Sequence, residues 1–184
     1  MSEYDQLCRI LDTKFQATNQ YWMIESKGII HKPQKVEIDV KGRSNISWTL
    51  YRFDLEEKEF LPFFNRTNES PEGLRKFCDY ILLAEVSNKP YVMLIEMKRG
   101  AAEEAEKQLN ASECFVEYLY SSAERLHKDF RDESFNRDNI VLRKIKLKER
   151  KSPKMITKGG CAVDKTMEFI SYESVGLFPI ARFL

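Results

Sequence analysis

Two apolar runs, Asp79 to Val86 and Tyr91 to Lys98, restrict the fold of this chain more than any other feature, because only Ser87-Asn88-Lys89-Pro90 separates them. A separator of that kind suits a hairpin loop, so two antiparallel strands are expected. Side chains alternate between the faces of a strand. With a symmetric loop, Asp79 lies opposite Lys98 and Ile81 opposite Glu96. One face then carries Asp79, Ile81, Leu83, Val92, Leu94, Glu96 and Lys98. The other carries Tyr80, Leu82, Ala84, Tyr91, Met93, Ile95 and Met97. Both faces are apolar, which predicts central strands covered on both sides.

The flanking segments supply the covers. Tyr4, Leu7, Leu11, Phe15, Thr18 and Trp22 recur at helical spacing, predicting a helix over 4–26 that ends at Lys27-Gly28. Val36, Ile38 and Val40 alternate with charged residues, as in a half-buried strand, with a turn at 42–45 and a returning strand over 46–53. Residues 54–73 read as an irregular connection holding one aromatic patch, Phe63-Phe64. After Gly100, the stripe Ala101, Ala105, Leu109, Ser112, Phe115 or Val116, Leu119, Ala123, Leu126 predicts a long helix to about Lys128. Ile140 to Lys148 and Thr166 to Tyr172 read as strands, with a turn at Gly159-Gly160. The order implies a mixed α/β fold, a small mixed sheet flanked by helices.

At 184 residues the chain suits a single domain, 1–184, with a core over about 1–150 and a C-terminal β extension over 151–184. The four cysteines, Cys8, Cys78, Cys114 and Cys161, form no CxxC pair, so neither a disulfide framework nor a zinc ribbon is expected. Without a secretory leader or a long apolar run, the expectation is a cytoplasmic protein with no membrane association. The net charge of +1 does not announce a nucleic-acid binder, but Arg143, Lys144, Lys146, Lys148, Arg150, Lys151 and Lys154 form a local basic stripe opposed only by Glu149. The two histidines, His31 and His127, lack metal-ligand spacing, and no Walker, GxGxxG or GxSxG motif occurs.

Chemistry is suggested by the exceptions to the greasy hairpin. Asp79, Glu96 and Lys98 share one face at one end, the two carboxylates being diagonal neighbours roughly 7–8 Å apart at the backbone. Buried charges without partners cost several kcal/mol. A Mg²⁺ ion would account for them, since hard oxygen ligands suit it and it keeps waters for a substrate phosphate. It would acidify a water that Lys98 could orient. The bland alternative is an ion pair of Lys98 with Asp79 or Glu96 that only sets register.

Cys78-Asp79-Tyr80-Ile81-Leu82-Leu83, then Leu94-Ile95-Glu96-Met97-Lys98, then Gln108 on the following helix resemble the PD-(D/E)xK nuclease superfamily, the restriction-endonuclease-like proteins. The order of elements from Val36 to Lys148 is similar too; Cys78 stands where the family pattern has proline. The resemblance implies a restriction-endonuclease-like core. It makes Asp79 and Glu96 metal ligands with the Met97 carbonyl, Lys98 the catalytic lysine, and Mg²⁺ or Mn²⁺ the cofactor. Gln108 would touch the lysine, a water or a phosphate, or else merely hold a strand-end carbonyl. A further acid is expected upstream, with Glu25 and Glu72 as candidates, although both also read as solvent-facing glutamates.

Lys144, Lys146 and Lys148 fall on one face of their strand and could track a phosphate backbone or protect a sheet edge. Trp48, Tyr51, Phe63 and Phe64 could stack on bases but suit core packing better. The expected function is metal-dependent hydrolysis of nucleic-acid phosphodiesters, with DNA as the expected substrate and a targeting protein or a second copy as a possible partner. The alternatives are a catalytically inactive binding or assembly module of the same fold, and an interaction domain that docks a partner through an exposed apolar tail, Gly176-Leu177-Phe178-Pro179-Ile180, a segment that also reads as packing on its own sheet.

Overall fold

The computed structural model describes residues 1–17, 22–25, 34–39, 45–53, 77–97, 102–130, 135–149, 161–163, 170–174 and 177–184. The chain is mixed α/β. In order it forms helix α1 (Glu3–Ile10), strands β1 (Trp22–Glu25), β2 (Gln34–Asp39), β3 (Ile46–Arg52), β4 (Tyr80–Val86) and β5 (Lys89–Met97), helix α2 (Ala102–Phe130), and strands β6 (Val141–Glu149), β7 (Cys161–Val163), β8 (Ile170–Ser174) and β9 (Leu177–Pro179). A six-stranded sheet runs β3-β4-β5-β6-β8-β7 and a three-stranded sheet runs β1-β2-β9. In the large sheet β3, β4 and β5 are antiparallel neighbours, whereas β6 lies parallel to both β5 and β8. Parallel neighbours need a crossover, and α2 provides it between β5 and β6.

The central hairpin keeps its predicted faces and changes its register. Tyr80 pairs with Ile95 and Val86 with Lys89, so the turn is the two residues Ser87-Asn88 rather than four. Both turn residues have positive φ, 49° and 64°, the backbone of the tight hairpin turn whose twist matches that of the strands. Lys89 and Pro90 therefore belong to β5. The ladder moves by two residues, an even step, so the described side chains stay on their predicted faces while their partners across the ladder change.

Those two faces support separate cores. Leu50, Tyr80, Leu82, Tyr91, Met93, Ile95, Met97, Ile145 and Leu147 meet Ile38 of β2, Phe178 of β9, Ile180 and Phe183. On the other side, Tyr51, Ile81, Leu83, Val92 and Leu94 pack against Leu7 and Leu11 of the N-terminal segment and Leu109, Val116, Leu119 and Ala123 of α2. Of the predicted stripe, Ala105, Leu109, Ser112, Val116, Leu119 and Ala123 are buried and Leu126 is half-buried, while Ala101 lies outside the described residues.

Three expectations are corrected. The predicted helix over 4–26 stops at Ile10: Leu11 turns extended, and the Asp12 side chain accepts the Lys14 N–H and starts a short 3-10 turn, Thr13–Phe15. This local side-chain bond competes with helix continuation. Leu11 and Phe15 still join the Tyr4–Leu7 core, while Trp22 opens a strand paired with β2. Second, β3 is not the return of β2; β2 pairs with β1 and β9, and β3 with β4. Third, the C-terminal tail is not an exposed docking segment. Phe178 and Ile180 are fully buried, with the Phe178 and Phe183 rings stacked 4.7 Å apart.

The strand expected over 166–172 is observed over Ile170–Ser174. Residues 27–28, 42–44, 54–73 and 159–160, for which turns or a connection were expected, lie outside the described residues. Among the described residues, no helix is long and apolar enough to cross a membrane.

Candidate functional site

The open end of the β4–β5 hairpin is where the apolar pattern fails. The next ladder pair beyond Tyr80 and Ile95 would bring Asp79 level with Glu96, one step closer than the diagonal the longer loop implied. Here the two strands part. The Cys78 N–H turns to Ser112 Oγ on α2, at 2.7 Å. The Met97 N–H turns to Asp79 Oδ2, also at 2.7 Å, and the Asp79 N–H donates to Glu96 Oε2 at 3.2 Å. Two carboxylates thus replace ladder carbonyls as acceptors where the strands splay. Buried main-chain donors require some acceptor, and this exchange meets that requirement.

The placement draws both acids inward. Glu96 is 1% exposed and Asp79 is half-buried. Negative charge at this point has a neighbouring consequence. The Cys78 thiol is pushed up to about 12 by burial first, with the Glu96 and Asp79 carboxylates adding to the rise, although the Ser112 hydrogen bond opposes it. Cys78 is therefore a neutral core thiol, donating to the Tyr80 carbonyl at 3.2 Å.

Helix α2 holds the segment that leads into Asp79. Gln108 Nε2 donates to the Phe77 carbonyl at 3.3 Å, the strand-end role considered above for this glutamine. Ser112 Oγ accepts from Cys78 and donates to the Gln108 carbonyl at 2.8 Å. Ser112 had no functional assignment from the sequence; the available signal was a hydroxyl four residues beyond Gln108 within an apolar helical stripe. Gln108 Oε1 is buried and accepts no hydrogen bond from the described residues. An acceptor in that state is costly.

The other candidate residues separate. Lys144 and Lys146 lie on the α2-facing side of β6, a strand interior to the sheet, so they protect no edge. Lys144 is held by Asn110 Oδ1 at 3.0 Å and by the Glu113 carboxylate. Lys146 is buried, 6% exposed, and pairs in register with Glu96. For Lys148 only the backbone, in β6, is described, and Lys98 lies outside the described residues. Glu25 belongs to β1 in the smaller sheet, and Glu72 lies outside the described residues. Tyr51 is fully buried and Trp48 packs partly buried on the core; Phe63 and Phe64 are outside the described residues.

The donor set passes one test for a hard dication. Every candidate ligand is oxygen, and each carboxylate can accept more than the main-chain N–H it receives from the described residues. Mg²⁺ is commonly bound through one or two carboxylates plus waters and phosphate oxygens, so two acids suffice. Among the described residues no group of three or more acids, histidines or cysteines converges. Comparison with protein-family models, with curated proteins and with solved structures finds no match for this chain.

Proposed function

We propose that this chain is a Mg²⁺-dependent nuclease of the PD-(D/E)xK type, with a restriction-endonuclease-like core, that hydrolyses nucleic-acid phosphodiesters, DNA foremost. The observation that carries this reading is the meeting of Asp79 and Glu96 at the splayed end of an otherwise apolar hairpin, each locked by a main-chain hydrogen bond. Ligands fixed in this way are pre-organised, which a metal site requires. Asp79 and Glu96 would hold Mg²⁺ or Mn²⁺, with the Met97 carbonyl beside them. A bound dication polarises a phosphate and acidifies a water. Lys98, next along the chain from Met97, would orient the attacking water and offset charge that develops on the phosphate. Gln108, anchored through Nε2, would present Oε1 toward a water of the site.

Mn²⁺ affinity, measured by calorimetry, and cleavage of plasmid and of single-stranded RNA would test the proposal. Glu96→Gln should lose Mn²⁺ binding, and Lys98→Ala should keep it while cutting at least about 100-fold more slowly. Equal cutting by Lys98→Ala and wild type in excess metal would overturn the hydrolytic role.

A second reading, an inactive binding module, is favoured by one observation: both carboxylates already do structural work as strand-end acceptors. Wild type that binds no Mn²⁺ at millimolar concentrations would select it.

A further inference from the structure

Among the described residues four polar side chains are buried: Gln6, Glu96, Ser112 and Lys146. The two charged ones are register partners on adjacent parallel strands. Their flanking pairs, Ile95 with Ile145 and Met97 with Leu147, belong to the opposite core, so Glu96 and Lys146 share the α2-facing side. Asp79, the residue just before β4, lies at the same level, hydrogen-bonded to Glu96 and Met97 of β5. This end of the sheet therefore carries a row, Asp79, Glu96 and Lys146, of two anions and one cation. Lys144, one pair along, already has Glu113 and Asn110 on α2, and so does not provide the counter-charge for this row.

We infer that Lys146 is the resident counter-cation of the Asp79–Glu96 pair and that an incoming divalent cation takes over that charge. This rests on the metal-site reading above. An ammonium in register with the buried Glu96 offsets the cost of burying that carboxylate when no metal is bound. The same ammonium repels a dication at those carboxylates, so it lowers metal affinity while keeping the metal-free protein folded. Lys146 acts through Glu96 and does not touch substrate; it is a positioning residue.

The test compares wild type, Lys146→Met, Lys146→Arg and the double variant Glu96→Gln/Lys146→Met. Mn²⁺ titration by calorimetry should show Lys146→Met binding roughly 10-fold or more tightly than wild type, and Lys146→Arg binding as wild type does. In EDTA, Lys146→Met should melt below wild type, and the double variant should recover much of the loss because the row regains its wild-type net charge. Mn²⁺ should raise the melting temperature of Lys146→Met more than that of wild type. If Lys146→Met binds Mn²⁺ no more tightly than wild type, the inference fails and the metal site survives. If neither protein binds Mn²⁺, the metal site fails, and the take-over of charge with it. Should Lys146→Met not fold, the double variant decides: folding supports the counter-cation, and failure to fold overturns it.

Discussion

On the side of β5 that meets β2 and β9, Met93, Ile95 and Met97 run to the strand end without a polar interruption. On the side turned to α2, Val92 and Leu94 give way to Glu96. Both sides are equally dry, yet only one requires its buried groups to be matched in charge and hydrogen bonding. An apolar face asks for volume and shape; a face with buried ions also asks for specific partners at specific distances. The second face is accordingly the one where Ser112, Gln108, Asp79 and Lys146 are each committed to a neighbour. The first face stores stability, and the second spends some of its burial on an arrangement that can do chemistry.

That contrast can be broken most directly on the apolar side. Ile95→Ala should cost about 2–5 kcal/mol in chemical denaturation, with none of the loss recovered by Mn²⁺; a metal-dependent recovery would mean the two faces are not separable. Next in size is Ser112→Ala, which strips the buried Cys78 N–H of its acceptor and should cost about 1–3 kcal/mol. It should also loosen the approach to Asp79, so that Mn²⁺ binding weakens, an effect that Ile95→Ala should lack. Ser87→Pro imposes a negative φ where the turn needs a positive one and should cost at least about 1 kcal/mol. A neutral result would undo the two-residue turn, and with it the pairing of Asp79 level with Glu96.

The smallest effect concerns thiol reactivity. Cys114 is exposed and Cys78 buried. A thiol reagent at about pH 8 should modify Cys114 in the native protein and Cys78 only after unfolding. Because the Cys78 value is raised from 9.0 to about 12, its contribution to stability is intact below 9.0 and declines as pH climbs from there. Rapid labelling of native Cys78 would show that the α2-facing side is open to solvent.

Much of the fold was legible in local pattern. The α2 stripe, the two hairpin strands and β6 follow from periodicity, which depends only on neighbours in the chain. Spacing predicts too long an N-terminal helix because Leu11 and Phe15 keep helical spacing across a 3-10 turn; it does not register the Asp12 side-chain bond that follows α1. For β2, adjacency in sequence favours a hairpin with β3, whereas Phe178 of β9, far along the chain, joins Ile38 in the core instead. Of the candidate site, Asp79 and Glu96 were visible as charges in apolar strands. The tie of Lys144 to α2 was not, since it joins residues on separate elements.

By itself the sequence determined which face of the hairpin each side chain occupies, because a period of two survives any even shift of register. Tertiary structure alone decided which residues stand level with one another. The tight Ser87-Asn88 turn brings Asp79 to Glu96, and the parallel docking of β6 after the α2 crossover brings Lys146 to the same row. The first depends on the backbone conformation that the turn adopts and the second on packing between elements far apart in the chain, neither of which side-chain periodicity contains.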